Sequence, residues 1–219
     1  MEYISNNKEL NEAIKLAYLH KIEPYELADV YFDNKLYSAA VTYYTAQLDL
    51  LHINNDNNND CKSYCFGRIA ECYFNQQKDH QFSNWQLSMI YDMCKESIIY
   101  DNLNYKSYLI CGKALIALNR YKDAYFIYYQ FITDLNKYVL KEEDLTLVLE
   151  VIYEFFDLCE MFHIIKYDNI YKEIINKLTQ YDYVSYNTIN EVHCRYKKHK
   201  EKISQIELDI MNHDISNYY

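Results

Sequence analysis

"CGKALIALNRYKDAYFIYYQF", residues 111–131, repeats in outline a stretch that the chain has already used, "LADVYFDNKLYSAAVTYYTAQ" at 27–47. Gly112 falls on Ala28, Leu115 on Tyr31, Tyr121 on Tyr37, Ala124 on Ala40 and Tyr128 on Tyr44, every pair 84 residues apart. Midway lies "YCFGRIAECYF" at 64–74, whose Ala70 is 42 residues from both Ala28 and Gly112. A small residue where two helices cross lets their backbones approach, and large neighbours such as Tyr31, Tyr44, Tyr73, Leu115 and Tyr128 fill the space beside the crossing. Self-similarity at a fixed period marks units that bury their apolar faces against one another, because no single helix pair can hide its own.

Composition agrees with helices. The chain has 219 residues, half of them hydrophobic, which is enough for a packed interior. It has 2 glycines and 1 proline. Sheets need Gly, Pro and Asn-Gly turns between strands, and that punctuation is missing, so the expected fold is all-α. The 27 tyrosines come with abundant Asn, Lys and Ile, which reads as A/T-biased coding, so single tyrosines carry little functional weight. "INNDNNND" at 53–60 reads as a solvated, mobile loop with nothing to pack. Helices are expected near 8–20, 24–33, 38–52, 62–75, 86–100, 105–118, 121–137, 142–161, 167–180 and 186–212. Asn6 or Asn7 would cap the first, with Leu10, Ile14 and Ala17 on one face, and Pro24 would open the second.

A net charge of −10 argues against general nucleic-acid binding. No apolar run approaches the roughly 18 residues of a membrane span, and no secretory signal opens the chain, so no membrane insertion is expected. Seven cysteines, an odd number set mostly in apolar helical patterns, fit free buried thiols in a reducing compartment. The cytoplasm is the expected location, with the nucleus also open.

The repeats read Pro24-x2-Leu27-Ala28-x2-Tyr31…Ala40-x3-Tyr44, then Phe66-x2-Ile69-Ala70-x2-Tyr73, then Tyr108-x2-Cys111-Gly112-x2-Leu115…Ala124-x3-Tyr128. This pattern resembles the tetratricopeptide repeat. The family period is about 34 residues, so each step here carries about eight extra. "INNDNNND" and the turn "NQQKDHQFSN" at 75–84 take up the surplus. Ser88, Met89 or Ile90 is then the small position of the middle unit's second helix. The resemblance implies an α-solenoid of stacked antiparallel hairpins in one domain, 1–219. Its parts are an N-terminal helix (1–21), repeats at 22–54, 62–102 and 105–138, a degenerate fourth hairpin (141–181), and a polar capping helix with tail (184–219).

Members of the family bind peptides in a concave groove lined by the first helix of each repeat. By the same registration the groove is lined by Tyr25, Asp29 and Phe32, then Tyr64, Arg68 and Glu71, then Lys106, Ile110 and Lys113. Acidic groups gather at the first repeat and basic groups at the third, with aromatic rings between. Such a surface suits a protein partner's peptide or helix with an apolar anchor and opposite charge polarity. Arg68 and Lys106 would repel each other unless an anion or Glu71 lay between them, which favours a partner carrying carboxylate or phosphate. The chaperone-binding subclass holds C-terminal carboxylates with Lys, Asn, Asn, Lys and Arg. Those positions here are Tyr25, Asp29, Arg68, Lys106 and Ile110, so one of five is kept. A scaffold or adaptor is therefore expected ahead of a co-chaperone.

No catalytic constellation competes with this reading. Two glycines as far apart as Gly67 and Gly112 allow no phosphate-binding loop, and no G-x-S-x-G elbow occurs. Cys61, Cys65 and Cys72 share a helix face, but zinc sites want a second pair elsewhere. His193 and Cys194 diverge by about 100°, and His199 lies about 120° from His193. These three read as solvated side chains of a capping helix. The basic run Arg195, Lys197, Lys198, Lys200 and Lys202 reads as a solvated face or an offset to nearby acidity. No metal, cofactor or enzymatic activity is expected. The alternative is a helical enzyme or regulatory subunit with a site around Cys194 and His199.

Overall fold

Helix α1 (Pro24–Asp33) begins where the sequence supplies two starting signals. Pro24 occupies the first turn, and Glu23 and Glu26 form a reciprocal capping box, with Glu23 N donating to Glu26 Oε2 at 2.9 Å. The structure, a computed structural model, describes residues 15, 16, 19, 21–76, 82–102, 104–137, 139–162, 164 and 168–216, with side chains as far as residue 205. Most of the helix expected over 8–20 lies outside the described residues; Lys15, Leu16 and Leu19 are helical.

After α1 follow α2 (Tyr37–Ile53), α3 (Asn59–Asn75), α4 (Asn84–Tyr100), α5 (Tyr105–Ala117) and α6 (Tyr121–Leu135). A 3-10 turn (Glu142–Asp144) leads into α7 (Leu145–Met161), then α8 (Asp168–Leu178) and α9 (Tyr186–Ser216). No strand occurs among the described residues, so the fold is all-α.

The chain divides into two compact units, Met1–Arg120 and Tyr121–Tyr219. The division falls inside the third copy of the repeat. In the first unit each helix packs on the next in sequence, from α1 to α5, and α3 also touches α5. The recurring small residues sit where close approach needs them: Ala28, Ala40 and Ala70 are fully buried and Gly112 is buried. Tyr44 and Tyr108 are fully buried beside them. Each such aromatic contributes about 1.5–3 kcal/mol by leaving water. In the second unit α7 packs against α6 and α9, and α8 also meets both. Ala124 and Tyr128 of α6 are fully buried, as are Phe155 and Phe156 of α7. Val192, Tyr196, His199 and Ile203 form a buried stripe at helical spacing along the otherwise polar α9.

Two turns 84 residues apart have the same backbone. Lys35 has φ 60° and Asn119 φ 58°. Lys35 N donates to Phe32 O at 2.8 Å and Leu36 N to Tyr31 O at 2.9 Å; Asn119 N donates to Ile116 O at 2.9 Å and Arg120 N to Leu115 O at 2.8 Å. Both close a helix with a left-handed residue where glycine is usual. Asn adopts that conformation at lower cost than Lys. Lys35→Gly should therefore raise stability by about 1 kcal/mol. A chemical-denaturation midpoint at or below wild type would show that the turn is not strained at Lys35.

"INNDNNND" is exposed but is not a slack loop. Ile53 ends α2, Asn55 turns left-handed at φ 51°, and Asp56 N donates to Leu51 O at 2.8 Å. Asp56 Oδ1 accepts from Asn58 N at 3.0 Å, and Asn58 Oδ1 caps α3 by accepting from Cys61 N at 3.1 Å. The segment lacks apolar anchors, yet its short polar side chains replace them with backbone caps. Helix α3 accordingly starts three residues before the expected position. The packed face of α4 is Leu87, Ile90, Cys94 and Ser97; of the three candidates for its small position Ile90 is the fully buried one, a large residue there, while Ser88 is exposed.

Candidate functional site

Asp29, at the middle of α1, is the hub of a polar cluster. Its Oδ1 accepts from Tyr44 Oη of α2, from Tyr64 Oη of α3 at 2.7 Å, and from Arg68 Nη2 of α3 at 3.4 Å. Arg68 also donates from Nε to Tyr44 Oη at 3.2 Å and pairs through Nη1 with Glu71 Oε2 at 3.1 Å. Lys106 Nζ at the start of α5 takes the other oxygen of Glu71. The Arg68 guanidinium lies 3.7 Å from the centroid of the Phe32 ring. Only arginine has a planar, many-donor head that can stack on a ring and divide its N–H groups among three acceptors.

Glu71 thus sits between the two cations. Two positive and two negative groups balance, so no anionic partner is needed to relieve repulsion. Burial and the Asp29 carboxylate hold the Tyr44 and Tyr64 hydroxyls above the usual tyrosine range, so both remain donors at neutral pH. Burial alone would lower the Arg68 pKa. The neighbouring Tyr44, Tyr64 and Glu71 outweigh it and hold the guanidinium above its ordinary value.

Of the residues expected along the groove, the structure joins Asp29, Phe32, Tyr64, Arg68, Glu71 and Lys106 into this one cluster. Tyr25 stands edge-on to Tyr64, with ring centroids 6.1 Å apart. Ile110 is buried in the core of the unit, and Lys113 is half-buried one turn further along α5. Two cavities adjoin Tyr64. One, of about 670 Å³, includes Tyr25 and Asp29; the other, of about 340 Å³, includes Arg68, Glu71 and Lys106.

Two features escaped the sequence reading. Tyr44, read as a space-filler, is also the hydroxyl that links Asp29 to Arg68. The second is a buried hydroxyl knot around Gly67. Ser63 Oγ donates to Ser97 O at 2.9 Å and Ser97 Oγ to Ser63 O at 2.8 Å. Asn104 Nδ2 and Ser107 Oγ each lie 2.9 Å from Ser97 Oγ. A glycine in mid-helix was the available signal, since helices avoid it unless another chain comes close.

In the second unit, His199 is not solvated: it is 6% exposed, with Nδ1 bonded to Glu160 and Nε2 3.2 Å from Asp157 Oδ1. Its position on the buried stripe of α9 requires this. His193 bonds Tyr171 Oη, and the exposed Cys194 lies 4.0 Å from Asn190 Oδ1. Three members of the basic run have partners: Arg195 with Asp157 at 3.1 Å, Lys202 with Glu160 at 2.8 Å, and Lys200 with Asp168 at 2.9 Å. Cys194 and His199 both contribute to a cavity of about 560 Å³.

All seven cysteines are free; Cys65, Cys72, Cys94, Cys111 and Cys159 are buried. Burial pushes the thiols of Cys72, Cys111 and Cys159 up to about 12. A hydrogen bond with Cys65 instead lowers the half-buried Cys61. Among the described residues no group of His, Cys, Asp or Glu is arranged to hold a metal ion, and no helix is long and apolar enough to cross a membrane. No protein-family model matches the chain, and no curated protein matches it.

Proposed function

We propose that the chain is a tetratricopeptide-like helical-repeat protein, an α-solenoid that docks a peptide or helix of another protein along the first helices of its repeats. It acts as a scaffold or adaptor and not as an enzyme. The observation that carries this reading is the Asp29–Tyr64–Arg68–Glu71–Lys106 cluster. Residues chosen only by repeat register lie in one run of contacts over α1, α3 and α5, bordered by two cavities. The paired turns at Lys35 and Asn119 support the repeat itself. An adaptor surface of fixed polar groups with aromatic rings between them offers specificity without chemistry. The kept clamp residue, Lys106, is already engaged by Glu71, which weakens the co-chaperone variant of this reading.

The test is affinity purification from the native cell followed by mass spectrometry, with wild type and a Tyr64→Ser, Lys106→Ser variant compared. Both side chains are more than a third exposed, so the variant should keep its helical signal. Capture of the main partner should fall by about tenfold or more, as expected for loss of a central aromatic and its charged neighbour. Undiminished capture would remove the interface from this face. The shared cavity of Cys194 and His199 favours a second reading, a thiol or acid–base site in the second unit. Cys194→Ser separates the two readings: it should leave capture unchanged and would abolish a thiol activity.

A further inference from the structure

Cys61 and Cys65 stand one turn apart on one face of α3, with their thiols hydrogen-bonded to each other. The two differ in access. Cys61 is half-buried and lies on the wall of the larger cavity of the first unit, whereas Cys65 is fully buried. They differ in charge as well. The Cys65 thiol and the Gln47 amide of α2 donate to Cys61 Sγ and hold it below the usual thiol range, against burial and the carboxylates of Glu23 and Asp56. The bond to Cys61, with burial, holds Cys65 protonated. Cys61 also sits in the first turn of α3, where the free N–H groups of a 17-residue helix favour a negative sulfur.

We propose that Cys61 and Cys65 form a hydroperoxide-sensing dithiol, in which Cys61 is oxidised first and Cys65 then closes a disulfide on it. The Cys61 thiolate attacks one peroxide oxygen, the O–O bond breaks, and the other oxygen leaves as hydroxide or alkoxide. Cys61 is then a sulfenic acid. Cys65 attacks the Cys61 sulfur, the S–S bond forms as the S–O bond breaks, and the thiol proton leaves with the hydroxyl as water. Two thiols lose two electrons, and the hydroperoxide takes them up. The first oxidation also removes the Cys61 bond that is the main cause holding Cys65 protonated. Glu23, Asp29, Asp56 and Asp60 on the same wall select the oxidant by charge, opposing an anionic reagent and leaving an uncharged peroxide unhindered. The bridge changes the fold locally. Residues four apart on a helix hold their Cβ atoms about 5–6 Å apart, and a disulfide needs about 3.5–4.5 Å. The turn that must yield is the one capped by Asn58, whose Oδ1 accepts from Cys61 N and whose O accepts from Lys62 N, each at 3.1 Å. Oxidation therefore loosens the start of α3.

The cavity wall also carries Tyr25, Asp29 and Tyr64, so the dithiol adjoins the docking surface; its chemistry is read on the free chain and needs no partner. The fully reduced full-length chain is treated with hydrogen peroxide and, in parallel, with an anionic aromatic disulfide, dithionitrobenzoate. Each cysteine is followed by peptide mass spectrometry. Peroxide should consume Cys61 about tenfold faster than the exposed Cys194, the internal control, and yield a Cys61–Cys65 disulfide that dithiothreitol reverses. The anionic disulfide should consume Cys194 first. In the oxidised chain the amides of Cys61 and Lys62 should exchange with solvent about tenfold faster, reporting the lost cap. Cys65→Ala should stop the reaction at a Cys61 sulfenic acid that dimedone traps; if that variant fails to fold, the wild-type peptide map still decides. Cys61→Ser should leave Cys65 reduced. Equal consumption of Cys61 and Cys194 by peroxide would overturn the proposal. So would a sulfenic or sulfinic acid in place of the wild-type disulfide, a preference of the anionic reagent for Cys61, or unchanged exchange at the start of α3.

Discussion

Arg68→Met will destabilise the first unit by about 2–3 kcal/mol, far more than loss of an ordinary surface ion pair. An exposed pair is worth about 0–1 kcal/mol because water and salt replace it readily. Here the Arg68 side chain is 20% exposed and that of Glu71 8%. Removing the guanidinium leaves Asp29 and Tyr44 without a donor that faces both, and each charge-assisted bond is worth about 1.5–3 kcal/mol. Two factors limit the loss. Glu71 keeps Lys106, and Asp29 keeps the hydroxyls of Tyr44 and Tyr64. Methionine keeps the stem volume and a contact for the Phe32 ring, so the loss is electrostatic and not a cavity. Urea denaturation measures it. Adding Asp29→Asn to Arg68→Met should recover about 1 kcal/mol, because the orphaned carboxylate is then neutral. A single-variant loss below about 0.5 kcal/mol would show that water already shares these contacts. Charge reversal, Arg68→Glu, would unfold the unit before it informed on binding, since a third carboxylate would meet Asp29 and Glu71.

That network shows where sequence reading succeeds. Helical period and the 42-residue step put Asp29, Arg68, Glu71 and Lys106 on α1, α3 and α5, and the likeness of 27–47 to 111–131 made that register readable. Glu71 was recognisable as the group able to separate two cations. Tyr44 was not, because it lies on α2, whose orientation toward Asp29 depends on the crossing of α1 and α2 and not on any spacing. The same difficulty hid the second unit. Arg195 meets Asp157, and Lys202 meets Glu160, across 38 and 42 residues. A basic run whose acidic partners lie that far back in the chain reads as a solvated face. His199 sat in a polar helix, and its burial followed only from the stripe that Val192, Tyr196 and Ile203 complete. "INNDNNND" misled for a different reason. Its composition is that of a flexible linker, but Asn and Asp also close and open helices, and here a left-handed Asn55, an Asp56 turn and an Asn58 cap use that capacity within six residues.

Gly67→Ala carries the opposite sign from the one helix propensity would assign. In the middle of α3, alanine is favoured over glycine by about 1 kcal/mol, so an isolated helix would gain. In this unit the added methyl would lie 2.8 Å from Asn104 Nδ2, 2.9 Å from Ser107 Oγ and 3.1 Å from Ser97 Oγ. None of these is the loose end of a long side chain. Ser97 and Ser107 are buried and bonded to each other, and Asn104 caps α5 by accepting from Ser107 N at 3.2 Å. Any shift that admits the methyl separates α3 from α5 or breaks the cap, and an α5 cap alone is worth about 1 kcal/mol. Buried hydroxyls that lose their partners add about 1–3 kcal/mol more. The balance is a net loss of about 2 kcal/mol, a fall in melting temperature of roughly 8 °C for a unit of this size. Ser107→Ala made in the Gly67→Ala background should worsen matters less than it does in wild type, because the knot is already disturbed. A Gly67→Ala protein that melts at or above wild type would mean that the knot yields freely, and that the close approach of α3 to α5 is not what keeps glycine at this position.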